Sequence, residues 1–185
     1  SIKSEAISNQ MNYALTVFSK LEFDTDLLIF NHFIGKGKIK HTLTFKKSDL
    51  LSADIAFNPY KDEITVSGYY GEKNKKTSLI KGFFHSVLNR ENFDSISERR
   101  FNINELMHND LASEKNALDK FFTGGKGLIT IQYLDTYFTE EKGKYIAYEV
   151  LEKYVTRDSQ GITTVYWKPK DYLIMHYDNE HKFNF

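Results

Sequence analysis

Apolar and polar residues alternate along most of this chain with a period of two, the spacing that sends successive side chains to opposite faces of an extended strand. The first such stretch is Tyr13-Ala14-Leu15-Thr16-Val17-Phe18. Residues 26–33 (DLLIFNHF) follow, then a Gly35-Lys36-Gly37 turn, then residues 38–45 (KIKHTLTF), in which Ile39, Leu43 and Phe45 fall on alternating positions. Residues 51–57 (LSADIAF) predict the next strand. It ends at Asn58-Pro59-Tyr60-Lys61-Asp62, where Pro59 withholds a backbone donor and the Asn and Asp side chains favour a turn. Residues 63–70 (EITVSGYY), 79–88 (LIKGFFHSVL) and 93–101 bring the count to four strands joined in order by short links, the pattern of an antiparallel meander.

Between Asn102 and Phe122 the period changes. Leu106, Leu111, Leu118, Phe121 and Phe122 recur near helical spacing, Asn102 or Asn104 can cap the start, and Gly124-Gly125 can stop it, so a helical insertion is expected over residues 102–126. Strand alternation returns over residues 128–138, 144–155, 163–167, 170–177 and 182–185.

Three segments echo one another: Asp26-Leu27-Leu28-Ile29-Phe30-Asn31, Lys81-Gly82-Phe83-Phe84-His85-Ser86 and Asp171-Tyr172-Leu173-Ile174-Met175-His176. Allowing for the insertion, they imply an underlying period of about 50 residues, and a four-stranded unit at such a period is what β-propeller blades look like in sequence. The expected fold class is all-β (mainly β, with one helical insertion), built from antiparallel meander blades as a propeller-like structure or part of one. A partial blade over residues 12–45 supplies three strands, and whole blades are expected over 51–101 and 128–185, in a single β-rich domain or a fragment of one. Since propellers close with about four blades or more, the chain reads as part of a longer protein. A two-sheet sandwich or barrel fits the same alternation.

Composition narrows the functional classes. With 41% hydrophobic and 15% aromatic residues the chain is too apolar for intrinsic disorder. Lys plus Arg equals Asp plus Glu at 25 each, so no net field draws it to nucleic acid, and no nucleic-acid partner is expected. Its longest apolar runs fall far short of the roughly 20 residues that span a bilayer, so it is not expected to be transmembrane. The absence of cysteine excludes disulfides, thiolate catalysis and Cys-ligated zinc. No signal peptide stands in residues 1–10, and a start at Ser1 fits a mature or trimmed product.

The stretch over residues 51–101 resembles a set of large exported proteins of the Bacteroidota phylum. The resemblance lies in Asp54-Ile55-Ala56-Phe57-Asn58, then Ile64-Thr65-Val66-Ser67-Gly68-Tyr69-Tyr70, then Ile80-Lys81-Gly82-Phe83-Phe84. The last blade is similar through Tyr148-Glu149 and Asp171-Tyr172-Leu173-Ile174-Met175. Where the family has Asp-Gly-Gly before the second strand, this chain has Lys61-Asp62-Glu63 and Glu141-Lys142-Gly143. The resemblance implies a propeller-like scaffold and an envelope or surface location: exported, in the periplasm, at the outer membrane or on the cell surface. It carries over no catalytic residue.

Candidate chemistry is sparse. His176-Tyr177-Asp178-Asn179-Glu180-His181 could gather two imidazoles and two carboxylates around a divalent ion, but it also reads as a hairpin turn with histidine flanks, and no third separated ligand can be named. Gly124-Gly125-Lys126-Gly127 and Gly35-Lys36-Gly37-Lys38 lack the Ser or Thr of a phosphate-binding loop. Glu140-Glu141 and the pair Glu149 and Glu152 could supply the two carboxylates of glycoside hydrolysis, but Glu140-Glu141 reads as a solvated turn, and Glu149, beside Tyr148 and Val150, needs a partner if it faces inward. Lys73, Lys75 and Lys76 read as a solvated hairpin tip. Tyr69-Tyr70, Phe83-Phe84 and Tyr166-Trp167 each put one ring on each face of a strand, as a sheet sandwiched between neighbours requires.

The expected function is therefore non-enzymatic: a binding or scaffold module of an exported bacterial protein, acting by protein–protein contacts in the cell envelope, for example in a secretion assembly. Its expected partner is another protein or the remainder of a longer chain, in an assembly that could be membrane-associated. No cofactor, catalytic residue or metal ligand is expected. The alternatives are a carbohydrate-binding or carbohydrate-active domain and a small closed β-fold holding an apolar ligand. For a ligand, the candidate contacts are Glu149, Tyr148, Trp167 and Asp171.

Overall fold

The computed structural model describes residues 2–7, 13–20, 24–33, 37–46, 48–72, 80–102 and 129–184. Among them the chain is all-β, with twelve strands and no helix. The strands are β1 (Ile2–Ile7), β2 (Tyr13–Lys20), β3 (Asp24–Phe33), β4 (Gly37–Lys46), β5 (Ser48–Phe57), β6 (Glu63–Glu72), β7 (Ile80–Asn89), β8 (Ser95–Asn102), β9 (Ile129–Thr139), β10 (Gly143–Arg157), β11 (Thr163–Tyr177) and β12 (Phe183–Asn184). They form three antiparallel four-stranded meanders in chain order: sheet 1 from β1 to β4, sheet 2 from β5 to β8 and sheet 3 from β9 to β12. The three echoing segments fall on β3, β7 and β11, the third strand of each sheet.

Three expectations change. Sheet 1 has four strands, because Ile2–Ile7 pairs along β2; Ile7 shares its alternation positions with Lys3 and Glu5, so the segment carries no clear period. The separate strands at 163–167 and 170–177 are one, β11, which passes through Pro169 at a bulge where Lys170 is the extra residue. Proline is tolerated there because it sits at a bulge, away from the His176 and Tyr177 pairing with β12, where its missing N–H is not needed. The helical insertion is not seen: Asn102 closes β8, and residues 103–126 lie outside the described residues.

The chain divides into two compact units, Ser1–Asp110 and Leu111–Phe185. In the first, sheets 1 and 2 share one core. Leu27 and Ile29 of β3 and Leu43 and Phe45 of β4 meet Leu50, Ala53 and Ile55 of β5, Ile64 and Val66 of β6, and Phe84 and Leu88 of β7. Each such Leu, Ile or Phe contributes about 1.5–3 kcal/mol by leaving water. Phe45 sits at the centre, edge-on to Phe84 with centroids 4.9 Å apart. Arg100 of β8 closes the rim: its guanidinium lies 4.6 Å from the Phe45 ring centroid, and Nη2 donates to the Thr44 carbonyl at 3.0 Å and to Glu98 Oε1 at 2.7 Å.

Sheet 2 is covered on both sides. Residues 63–69 of β6 and 82–88 of β7 are all buried, and they alternate between the core face (Ile64, Val66, Phe84, Leu88) and the far face (Thr65, Ser67, Tyr69, Phe83, His85, Val87). The close approach between strands explains Gly68, where a Cβ would stand 2.1 Å from the Ser52 carbonyl oxygen. In sheet 3, Gly143 starts β10 with φ +91°, a conformation that disfavours any side chain, and so completes the Glu141-Lys142-Gly143 turn. Two further turns use one device. Asp158 Oδ1 accepts from the amides of Gln160 and Ile162, Asp178 Oδ1 accepts from those of Glu180 and Lys182, and the positive-φ position is Gly161 in one and His181 in the other.

Because the Gly68 Cβ would meet backbone rather than a movable side chain, Gly68→Ala should destabilise the first unit by about 1–3 kcal/mol. Urea unfolding checks it; an unchanged midpoint would mean that β5 and β6 can separate freely.

Candidate functional site

Sheet 3 buries only one face. On that side lie Ile131, Thr136 and Phe138 of β9, Lys144, Ile146, Tyr148 and Val150 of β10, and Met175 and Tyr177 of β11, all buried. Cross-strand register puts the intervening residues together on the other face. From one end the rows are Tyr137–Tyr145–His176, Asp135–Ala147–Ile174, Gln132–Glu149–Tyr172, Leu151–Pro169, Lys153–Trp167, Val155–Val165 and Arg157–Thr163. This face is open: Tyr137 is 67% exposed, Tyr172 60%, Ile174 65% and Trp167 42%. Tyr145 and His176 stack across the strands at 4.5 Å, and His176 Nε2 lies 2.8 Å from the Lys142 carbonyl oxygen.

The β10–β11 hairpin also outruns its neighbours. Among the described residues β9 pairs along β10 as far as Glu152, and β12 meets β11 at His176 and Tyr177. Among the described residues the last five residues of β10 therefore pair with β11 alone, forming a two-stranded arm on which Tyr154 to Arg157 are exposed. Val155 and Val165 lie on its open-face side. On the other side Tyr154 and Tyr166 stack at 5.6 Å with Lys168 Nζ over both rings, and Glu152 accepts from the Tyr154 hydroxyl at 3.1 Å. That bond, with the Glu152 charge, pushes the Tyr154 phenol pKa up.

The four candidate ligand contacts do not converge. Tyr148 is fully buried, and Glu149, its neighbour in β10, points to the open face. Trp167 shares that face with Glu149 but lies two rows along the arm. Asp171, opposite Val150, turns its carboxylate back to accept from the Tyr172 amide at 2.8 Å. Asp135 does the same for Thr136 at 2.7 Å on β9. Each aspartate follows a bulge, at Lys170 and at Leu134, so both edges of sheet 3 carry a bulge and a carboxylate that occupies an outward amide.

The histidine cluster separates as well. His176 is on the open face, whereas His181 is buried with Nδ1 3.3 Å from Lys144 Nζ. Among the described residues no group of three potential ligands surrounds a metal position. Glu140 and Glu141 form an exposed turn whose carbonyls accept from Asn179 Nδ2. Lys73, Lys75, Lys76 and the 124–127 glycines lie outside the described residues. No helix among those residues is long and apolar enough to cross a membrane.

The sequence reading missed a polar row inside sheet 2. Asp54, Ser67, His85 and Arg99 are cross-strand neighbours on its far face, beside the row of Ser52, Tyr69, Phe83 and Phe101. Ser52 Oγ donates to Asp54 Oδ2 at 2.8 Å. Burial pushes the Asp54 carboxyl up from 3.8 to about 6, although the Ser52 bond opposes it. Burial, and then the Asp54 charge, raise the Tyr69 phenol as well. The only signal for this row was Asp54 at an alternation position shared with Ser52; the residues from other strands meet it only through register.

Compared with family models, curated proteins and solved structures, the chain has no match.

The Asp54 carboxyl gives a pH signature with a definite sign. Between 3.8 and about 6 the folded protein holds a proton that the unfolded chain has released, so this group favours folding most below that window and loses its contribution as pH rises through 6. Asp54→Asn removes the slope. Against wild type it should be more stable by about 1–2 kcal/mol near pH 7, discounted for partial solvation, and equal below about pH 3.5. Parallel urea titrations at the two pH values read the difference, and a constant offset would assign Asp54 an ordinary pKa.

Proposed function

We propose that the protein is a non-enzymatic binding or scaffold module that works by protein–protein contact, and that the open face of sheet 3 is its docking surface. The observation that carries this reading is the difference between equivalent strands. On β6 and β7 both faces are buried, whereas one face of sheet 3 is left half-buried to exposed, with Tyr137 of β9 and Tyr172, Ile174 and Trp167 of β11 exposed on it. Tyrosine and tryptophan dominate the energetics of protein interfaces, and a contiguous exposed patch of such residues marks a contact site. The edges of the sheet are blunted by Pro169, Lys168, Lys170 and the two aspartate-capped bulges, so the face is what remains for a partner to cover.

In this reading the three meanders are successive blades of a propeller-like stack, and an exported, envelope-associated setting follows from the resemblance to the Bacteroidota proteins. The carbohydrate-directed alternative draws support from the exposed Tyr154–Tyr166 stack with Glu152 and Lys168 beside it. For the small closed barrel or sandwich holding an apolar ligand, the barrel form draws no support, since among the described residues each sheet has two ends in its strand order.

Photo-crosslinking in the native cell tests the docking surface. A photoreactive residue at Tyr172 should yield a discrete protein adduct that Ile174→Glu abolishes, while the same residue at exposed Tyr60 in the first unit should yield none. Adducts at both positions, or at neither, would overturn the reading; adducts with glycan alone would favour the carbohydrate alternative.

A further inference from the structure

We infer that the partner on the open face of sheet 3 is a second copy of this chain, packed face to face about a two-fold axis that lies along the Leu151–Pro169 row. The inference rests on the docking role proposed above and adds the occupant. A two-fold axis lying in the interface along one cross-strand row reverses the strand direction and turns one face onto the other, so β10 lies over β10 and β11 over β11, with rows on either side of the axis exchanged. The rows of this face are complementary under that exchange. The first row on one side is Glu149 and Tyr172, and the first row on the other is Lys153 and Trp167. The second rows are Ala147 with Ile174 and Val155 with Val165. Over these two pairs of rows each contact is acid on base, aromatic on aromatic or aliphatic on aliphatic, and each occurs twice; the outermost rows set Tyr145 on Arg157 and His176 on Thr163.

Three further observations favour a copy over an unrelated protein. Glu149 and Lys153, at neighbouring positions of one strand face, have no ion-pair partner among the described residues. By contrast, Glu152 on the opposite side of β10 pairs with Lys170 at 3.5 Å. The acid and the base sit symmetrically about the Leu151–Pro169 row, the arrangement that a self-complementary interface needs and that a heterologous partner does not. Finally, Val155, Val165 and Trp167 stand exposed, and the exchange lays them on the Ile174 and Tyr172 rows of the second copy. The seven rows span roughly 40 Å at about 3.3 Å per residue. Two to three strands of that length bury on the order of 1,000 Å² in total, the low end for a specific contact, so a dissociation constant in the micromolar range is expected.

Sedimentation velocity on the purified protein, from about 1 to about 100 µM, tests the inference. Wild type should pass from monomer to dimer across that range. Glu149→Lys and Lys153→Glu should each weaken the dimer at least about tenfold, because each reversal acts twice, and the double variant should restore it. Matched circular dichroism melts exclude misfolding as the cause, and the rescue itself excludes it independently. A monomer at every concentration, or a dimer indifferent to both single reversals, would overturn the inference. The two proposals fail separately. A Tyr172 crosslink of heterologous mass would remove the second copy and leave the docking role standing, whereas no protein adduct at Tyr172 would remove both.

Discussion

Residues 64–70 of β6 and 82–88 of β7 carry no carboxylate, lysine or arginine on either face, and strands of that kind are stable only when both faces are taken out of water. This constraint organises the first unit. One face of sheet 2 is covered by Leu27, Ile29, Leu43 and Phe45 of sheet 1, and Phe45 is locked between Phe84, Tyr70 and the Arg100 guanidinium. Close covering leaves little space between strands, and Gly68 and Gly82, where a Cβ would meet carbonyl oxygens at 2.1 Å, occur on these same two strands. Packing and glycine placement are one requirement seen at two scales.

Sheet 3 follows the same plan and departs from it on one side. Ile146, Tyr148 and Val150 repeat the buried role of Ile64 and Val66, but the opposite face carries large side chains that stay in water. Its edges are treated differently from its face. Bulges, a proline, two lysines and two aspartates that cap outward amides all discourage strand addition, while nothing comparable discourages contact over Tyr172, Ile174 and Trp167. A chain that protects its edges and leaves a face apolar is disposed to bind through that face. The charges on it, Glu149 and Lys153, set the geometry of contact more than its strength.

The interior polar row of sheet 2 has a different character. Asp54, Ser67, His85 and Arg99 place an acid, a hydroxyl, an imidazole and a cation side by side, yet on four adjacent strands of one sheet rather than around a cavity. Ser52 satisfies part of Asp54, and burial makes its ionisation costly. Buried polar groups of this kind lower stability at neutral pH while they restrict which strands can pair, since a register slip would leave them among apolar neighbours.

Alternation, turn chemistry and the echo of the third strands were legible in the residues themselves because each depends on neighbours a few positions away. Asn58 to Asp62 reads as a turn from its side chains, and Ile64 and Val66 read as one face of a strand from their spacing. The strand Ile2–Ile7 was not legible, since its pairing with β2 rather than its own pattern makes it a strand. The union of residues 163–177 into β11 was hidden by Pro169, whose tolerance depends on a bulge that only the partner strand defines. The candidate ligand residues were chosen by proximity in sequence, and Tyr148 and Glu149 part to opposite faces because adjacent residues in a strand must. Local composition thus determined that the chain would form meander sheets. Register and packing decided which side chains share a face and which face stays open, because those depend on contacts between residues far apart in the chain.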